Sequence, residues 1–210
     1  MQVVDQEMFR GYFTSTSREE TRDILISIGA LTLAFFVYNF VQDRAPMNGY
    51  NALVYLLEAF VGMVTAFLLH ELSHRYVARN YGGIAYFRMW PFGIVLALVT
   101  SLIGFIFAAP GAVNISGVYG REQIGKTALA GPMTNLVLGT AALGVFFLSA
   151  PGSLIGAVSY FVATINLWFS LFNMIPFPPL DGSKVISWNI GYYAIFVAAS
   201  LVMNVYIFIG

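Results

Sequence analysis

From Thr127 to Leu180 the sequence carries no charged side chain. A helix needs about 20 apolar residues to cross a hydrocarbon core about 30 Å thick, and this run holds two such lengths. Ala150-Pro151-Gly152-Ser153 divides it into spans of roughly 128–149 and 154–175, joined as a tight helical hairpin. The rest of the chain agrees: 59% of residues are hydrophobic and 10% charged, with a mean hydropathy of +0.77, against about 25% charged in an average soluble domain. The sequence therefore reads as an all-α polytopic protein of the lipid bilayer. Its net charge of +0 and scattered basic residues exclude a nucleic-acid footprint. With no cysteine, disulfide and thiolate chemistry are excluded as well.

Three further spans follow from hydropathy. Residues 1–23 form a polar N-terminal segment whose Glu19, Glu20, Asp23, Arg18 and Arg22 belong in water or at the headgroups. Ser17 and Glu20 fit a capping box that would start a helix, and the first span runs from Ile24 to Val41, ended by Asp43, Arg44 and Pro46. The second begins near Leu53 and stops at Tyr81-Gly82-Gly83, and the last runs from Val185 to about Phe208. Residues 92–109 are uncharged and long enough to count as another. A crossing there would put Arg121 and Lys126 on the side opposite Arg75, Arg79 and Arg88, whereas a segment that returns keeps all five together. Gly93, Gly104 and Pro110-Gly111 suit a re-entrant hairpin or short strands. The expectation is one membrane domain, 24–210, with about five transmembrane helices and a non-spanning insertion over about 84–127 between the second and third. The arginine-rich side, with the N-terminus, is expected to be cytoplasmic.

The only two histidines of the chain are His70 and His74, in the sequence His70-Glu71-Leu72-Ser73-His74. On a helix they project from one face and can hold one metal ion, with Glu71 about 100° away and able to address a water there. Such a pattern arises by chance on solvated helices, but here the flank is apolar, where two histidines and a carboxylate are costly unless satisfied. A catalytic zinc site takes three protein ligands plus water. Of the nearby acids, Glu58 lies about 18 Å along the helix from His70, nearer the opposite interface. Asp181 follows prolines 176, 178 and 179, which cannot continue a helix. Two readings remain: a ligand loop lining a cavity, or a surface turn with Asp181 as N-cap of the last span. A returning insertion brings Asp181 to the depth of the histidines, whereas a crossing one strands it near the opposite face. Asn135, one turn after Gly131-Pro132, reads as an interhelical hydrogen-bonding group rather than a catalytic one.

His70, Glu71 and His74, with Asn173, Pro176, Asp181 and Gly182 in the order N-x-x-P-x-x-x-x-D-G and Ala130-Gly131-Pro132 between them, resemble the site-2 protease family of intramembrane zinc metalloproteases. The resemblance covers about 53–182. It implies an endopeptidase that cuts a transmembrane segment of a substrate protein, with one zinc per chain held by His70, His74 and Asp181. In that resemblance Glu71 is the general base, Asn173 a hydrogen-bond donor to the substrate carbonyl, and the region 84–120 a place where an unwound substrate adds as a strand. The alternatives are a zinc-binding membrane scaffold of the same fold, against which Glu71 argues, and a metal transporter, for which the pathway is poor in ligands.

Overall fold

The structure is a computed structural model that describes residues 6–43, 48–107 and 109–209, with side chains from residue 18 to 207 within those ranges. In chain order the elements are α1 (Gln6–Asp43), α2 (Gly49–Met63), a π-helical turn (Val64–Leu68), α3 (Leu69–Asn80), β1 (Ile84–Met89), α4 (Pro91–Ser101), β2 (Gly111–Ser116), α5 (Arg121–Leu148), α6 (Leu154–Phe172), α7 (Asp181–Trp188) and α8 (Ile190–Ile209). Among the described residues, five helices are long and apolar enough to cross a membrane: Arg18–Asp43, Gly49–Asn80, Arg121–Leu148, Leu154–Phe172 and Ile190–Ile207. The chain is an all-α multi-pass membrane protein with one small sheet.

The insertion leaves and returns to one place. β1 and β2 pair antiparallel from Ile84↔Ser116 to Met89↔Gly111, and the amide of Trp90 donates to the carbonyl of Pro110 at 2.8 Å. Between them α4 is only 11 residues long, about 16 Å, roughly half the hydrocarbon thickness. The short strands that were one of the two expected forms are present at the base of the insertion, and the apolar stretch between them is a short helix rather than a span. The third span starts at Arg121, earlier than the expected Ala128.

The polar N-terminal residues are not a separate lead. α1 is already helical at Gln6, so Ser17 lies inside it and starts nothing; the expected stop at Arg44 and Pro46 lies outside the described residues. Glu20 and Asp23, expected in water or at headgroups, are 5% and 3% exposed. The reason is the outer edge of β1, whose amides need acceptors. Phe87 N–H donates to Glu20 Oε1 at 2.9 Å and Met89 N–H to Asp23 Oδ2 at 3.4 Å. Arg75 pairs with Glu20 at 3.2 Å, and Arg88 with Glu19 at 2.6 Å and Asp23 at 3.6 Å. The hydrogen bond that Arg88 donates to the Glu19 carboxylate pushes the Arg88 pKa up. Hydrogen bonds to a charged group contribute about 1.5–3 kcal/mol each, so α1 is pinned to the sheet rather than merely beside it. These contacts also hold the 19–23 stretch of α1, α3 and the sheet together. Towards the other end of α1, Asn39 donates to Glu58 at 3.0 Å, which keeps Glu58 away from the histidines as expected.

An apolar core of Leu31, Ala34, Ala59, Met63, Phe67, Phe87 and Ala97 joins α1, α2, the π-turn, the sheet and α4. The rings of Phe67 and Phe87 meet edge to face at 5.6 Å. The last span differs from expectation: it breaks at Asn189, whose Oδ1 accepts from the amides of Gly191 and Tyr192 at 2.9 and 3.1 Å. An asparagine that supplies the acceptor for free N-terminal amides starts a new helix, so α7 is a short separate helix and α8 is the span. Trp188 on α7 packs against Gly125, tying α7 to the start of α5.

Candidate metal centre

His70 and His74 project from α3 into the bundle and Asp181 opens α7; their exposures are 5%, 7% and 8%. The Nε2 atoms of the two histidines are 2.9 Å apart. Asp181 Oδ2 lies 3.4 Å from His70 Nε2 and 3.1 Å from His74 Nε2. Among the described residues these three form a group able to hold a metal ion. The expected trio is thus brought together: the turn over 175–179 is exposed, as the surface-turn reading had it, while Asp181 itself faces the histidines. Leu180 rather than Asp181 stands at the N-cap of α7.

The hydrogen bonds behind the imidazoles set which ring nitrogens face the triangle. His70 Nδ1 faces Asn135 Oδ1 at 2.5 Å, and His74 Nδ1 faces the Thr127 carbonyl at 2.7 Å. Both partners are acceptors, since the Asn135 amide Nδ2 is spent on the Ala66 carbonyl and on Asn166 Oδ1, each at 3.0 Å. In the neutral rings each Nδ1 therefore carries the proton, and each Nε2 presents a lone pair. Two lone pairs and a carboxylate oxygen converging about 3 Å apart repel one another unless a proton or a metal ion lies between them. Donor atoms on a tetrahedron with zinc–ligand bonds of about 2.0–2.1 Å are about 3.3 Å apart, so the trio fits zinc.

Asn166, Thr65 and Ala66 stand behind the trio and were not singled out in the sequence. Asn166 Nδ2 donates to Thr65 Oγ1 at 2.8 Å and to the Val162 carbonyl at 2.9 Å, so a polar chain runs from α6 through Asn135 to His70. The π-turn containing Ala66 breaks the regular ladder and leaves its carbonyl to Asn135. Polarity inside an apolar span was the available signal for Asn166, as it was for Asn135. On α5, Pro132 cannot donate to the Ala128 carbonyl and its ring presses on that turn, one residue from the carbonyl that holds His74. Gly131 brings α5 against the histidines: a Cβ there would overlap His74 Nε2 and His70 Nε2. Lys184 lies 3.4 Å from Asp181 Oδ1, the oxygen turned away from the histidines.

The loop before Asp181 is unwound as expected. The Gly182 amide donates to the Asn173 carbonyl at 2.7 Å, and a Cβ on Gly182 would overlap the backbone of Met174. This closed turn delivers Asp181, with Pro176 exposed on its outside. Asn173 caps α6, and its Nδ2 donates to the Phe169 carbonyl at 3.1 Å. Glu71 Oε2 accepts from the amide of Val113 in β2 at 2.9 Å.

Asn135→Leu should lower zinc affinity about 10- to 100-fold, as loss of a histidine's hydrogen-bond partner typically does, measured by competition with a chromogenic chelator. An unchanged affinity would show that Asn135 only ties helices together.

Comparison with curated proteins gives relatives of one kind. The chain is 39% identical over 181 residues to "Putative zinc metalloprotease MJ0611" of Methanocaldococcus jannaschii, covering 85% of this chain and 89% of that one. It is 33% identical over 148 residues to "Putative zinc metalloprotease Rip3" of Mycobacterium tuberculosis, covering 67% of this chain but only 33% of that protein. It is 29% identical over 166 residues to "Putative zinc metalloprotease YwhC" of Bacillus subtilis, covering 69% and 73%. No family model matches, and no solved structure matches.

Proposed function

This chain belongs to the zinc metalloprotease family of these relatives, and from that premise we propose that it is an intramembrane endopeptidase of the site-2 protease type, hydrolysing a peptide bond within a transmembrane segment of a substrate protein. The observation that carries the reading is the buried triangle of His70, His74 and Asp181, its two histidines on a helix of membrane-spanning length, with a carboxylate beside it.

His70, His74 and Asp181 would hold one zinc per chain. Bound zinc supplies Lewis acidity to a peptide carbonyl and lowers the pKa of water towards 7. The work of the chain's own residues is proton transfer and placement. Glu71 would take a proton from water and pass it to the leaving amine; its Oε2 is held by the Val113 amide. Asn173 would donate from Nδ2 to the substrate carbonyl, which requires that group to leave Phe169. A peptide bond in an intact helix is shielded by its own hydrogen bonds, so the substrate must unwind, and glycine or proline near the cut favours this. An unwound segment can add to a sheet edge. With β1 closed off by Glu20 and Asp23, the outer edge of β2, next to Glu71, is the edge that serves.

The test is zinc content and cleavage of a transmembrane segment in detergent. Native protein should hold about one zinc and cut, and Asp181→Ala should lose most of both. Zinc bound without cleavage of any transmembrane segment favours a scaffold of the same fold.

We assign the basic side, which carries the site, to the cytoplasm, because Arg75, Arg79, Arg88, Arg121 and Lys126 gather there. A topology reporter fused after Asn114 should read cytoplasmic; the opposite readout sinks that orientation.

A further inference from the structure

Val113 stands at the meeting point of two requirements. Its amide points away from β1, since it and Phe87 are paired and Phe87 N–H goes outward to Glu20. Outward amides of β2 are the groups an added strand uses. Yet the Val113 amide is already taken by Glu71 Oε2 at 2.9 Å. The amide of Ile115, two residues on and facing the same way, has no partner among the described residues.

We propose that Val113 is a specificity-determining position: its amide latches Glu71 in the free protein and gives it up only to an extended segment that pairs with β2. The inference rests on the endopeptidase reading above. One amide cannot serve both the carboxylate and a substrate carbonyl at full strength. A segment long enough to pair through position 113 displaces Glu71 and leaves both carboxylate oxygens for the proton transfer. A short peptide that reaches the metal without pairing finds the carboxylate still held through Oε2 and fixed in that orientation. Selection for extended chain is therefore built into the base itself, in addition to whatever the bilayer excludes.

Proline at 113 removes the amide without touching the β1–β2 ladder, because that N–H does not take part in it. Ile115→Pro is the matched control, removing an outward amide that does not meet Glu71. The first readout needs no catalysis: carbodiimide-driven coupling of an amine to Glu71, followed by mass spectrometry of the peptide that contains it. Val113→Pro should label about tenfold faster than the native chain, the scale set by losing one hydrogen bond to a charged group, and Ile115→Pro should not. The second is cleavage by zinc-loaded protein. Val113→Pro should cut a transmembrane substrate more slowly and a four-residue soluble peptide faster than the native chain, while Ile115→Pro slows only the former. Unchanged labelling in Val113→Pro overturns the latch. Equal loss on both substrates also overturns it, because the amide then orients the base for catalysis instead of restraining it. If native protein cuts nothing, the endopeptidase reading fails and the labelling alone decides whether Glu71 is latched.

Discussion

Glu71→Gln is expected to keep zinc at the native level and to lose cleavage by about 10²- to 10⁴-fold, the range attributable to a positioned general base. The structure makes this a clean substitution. Glutamine has the same length, and its carbonyl can still accept from the Val113 amide that now meets Glu71 Oε2, so the link between α3 and β2 survives. What it lacks is the capacity to take a proton. Neither Nε2 in the triangle bonds to Glu71, so the metal should be indifferent. Zinc measured by mass spectrometry beside cleavage of a transmembrane substrate checks both halves. Loss of zinc together with activity would make Glu71 a ligand, and the role given to it here would be wrong.

Gly131→Ala is expected to empty the metal site. A single Cβ at 131 would occupy the space of the two nitrogens whose lone pairs face Asp181. Relief by a shift of α5 is hindered on both flanks. The Thr127 carbonyl holds His74 and Asn135 holds His70, so moving α5 breaks the hydrogen bonds that orient the ligands. Overpacking of this kind costs about 1–3 kcal/mol, and here the strain falls on the donor atoms. Zinc should drop well below one per chain, with a lower thermal midpoint. Gly144→Ala on the same helix, where nothing lies within 4 Å of the added carbon, should leave both close to native. Full zinc in Gly131→Ala would mean that the approach of α5 to the histidines is not tight in the working protein.

The candidate metal-holding trio was legible in the sequence because the chain offers so few alternatives: two histidines, both in one motif, and one acid after a run of helix-breaking prolines. The returning insertion was legible from where the arginines fall. What supports the ligands was harder to see. Asn166 is as polar as Asn135, but a lone amide in an apolar span does not reveal which neighbour it faces. The Thr127 carbonyl that holds His74 is backbone and leaves no mark in the sequence at all. Glu20 and Asp23 read as water-facing because charge patterning describes solvent, whereas their partners are the amides of Phe87 and Met89, more than sixty residues away. The break at Asn189 carried a signal, since asparagine is a common helix starter. It was masked by apolar sequence on both sides, which reads as one continuous span.

The unequal edges of the two-stranded sheet bear on how copies of this protein behave when crowded in a membrane. A hairpin with both edges bare has a valence of two: each copy can be extended on either side, and successive copies can join into an open-ended ribbon. Here α1 occupies one edge through Glu20 and Asp23, so the valence falls to one. Any strand that adds to β2 is followed by no further addition across β1, and two copies meeting through their β2 edges would end as a pair. The carboxylates that brace α1 thus also act as chain terminators, allowing the protein to keep a strand-hungry edge beside its site without seeding a polymer.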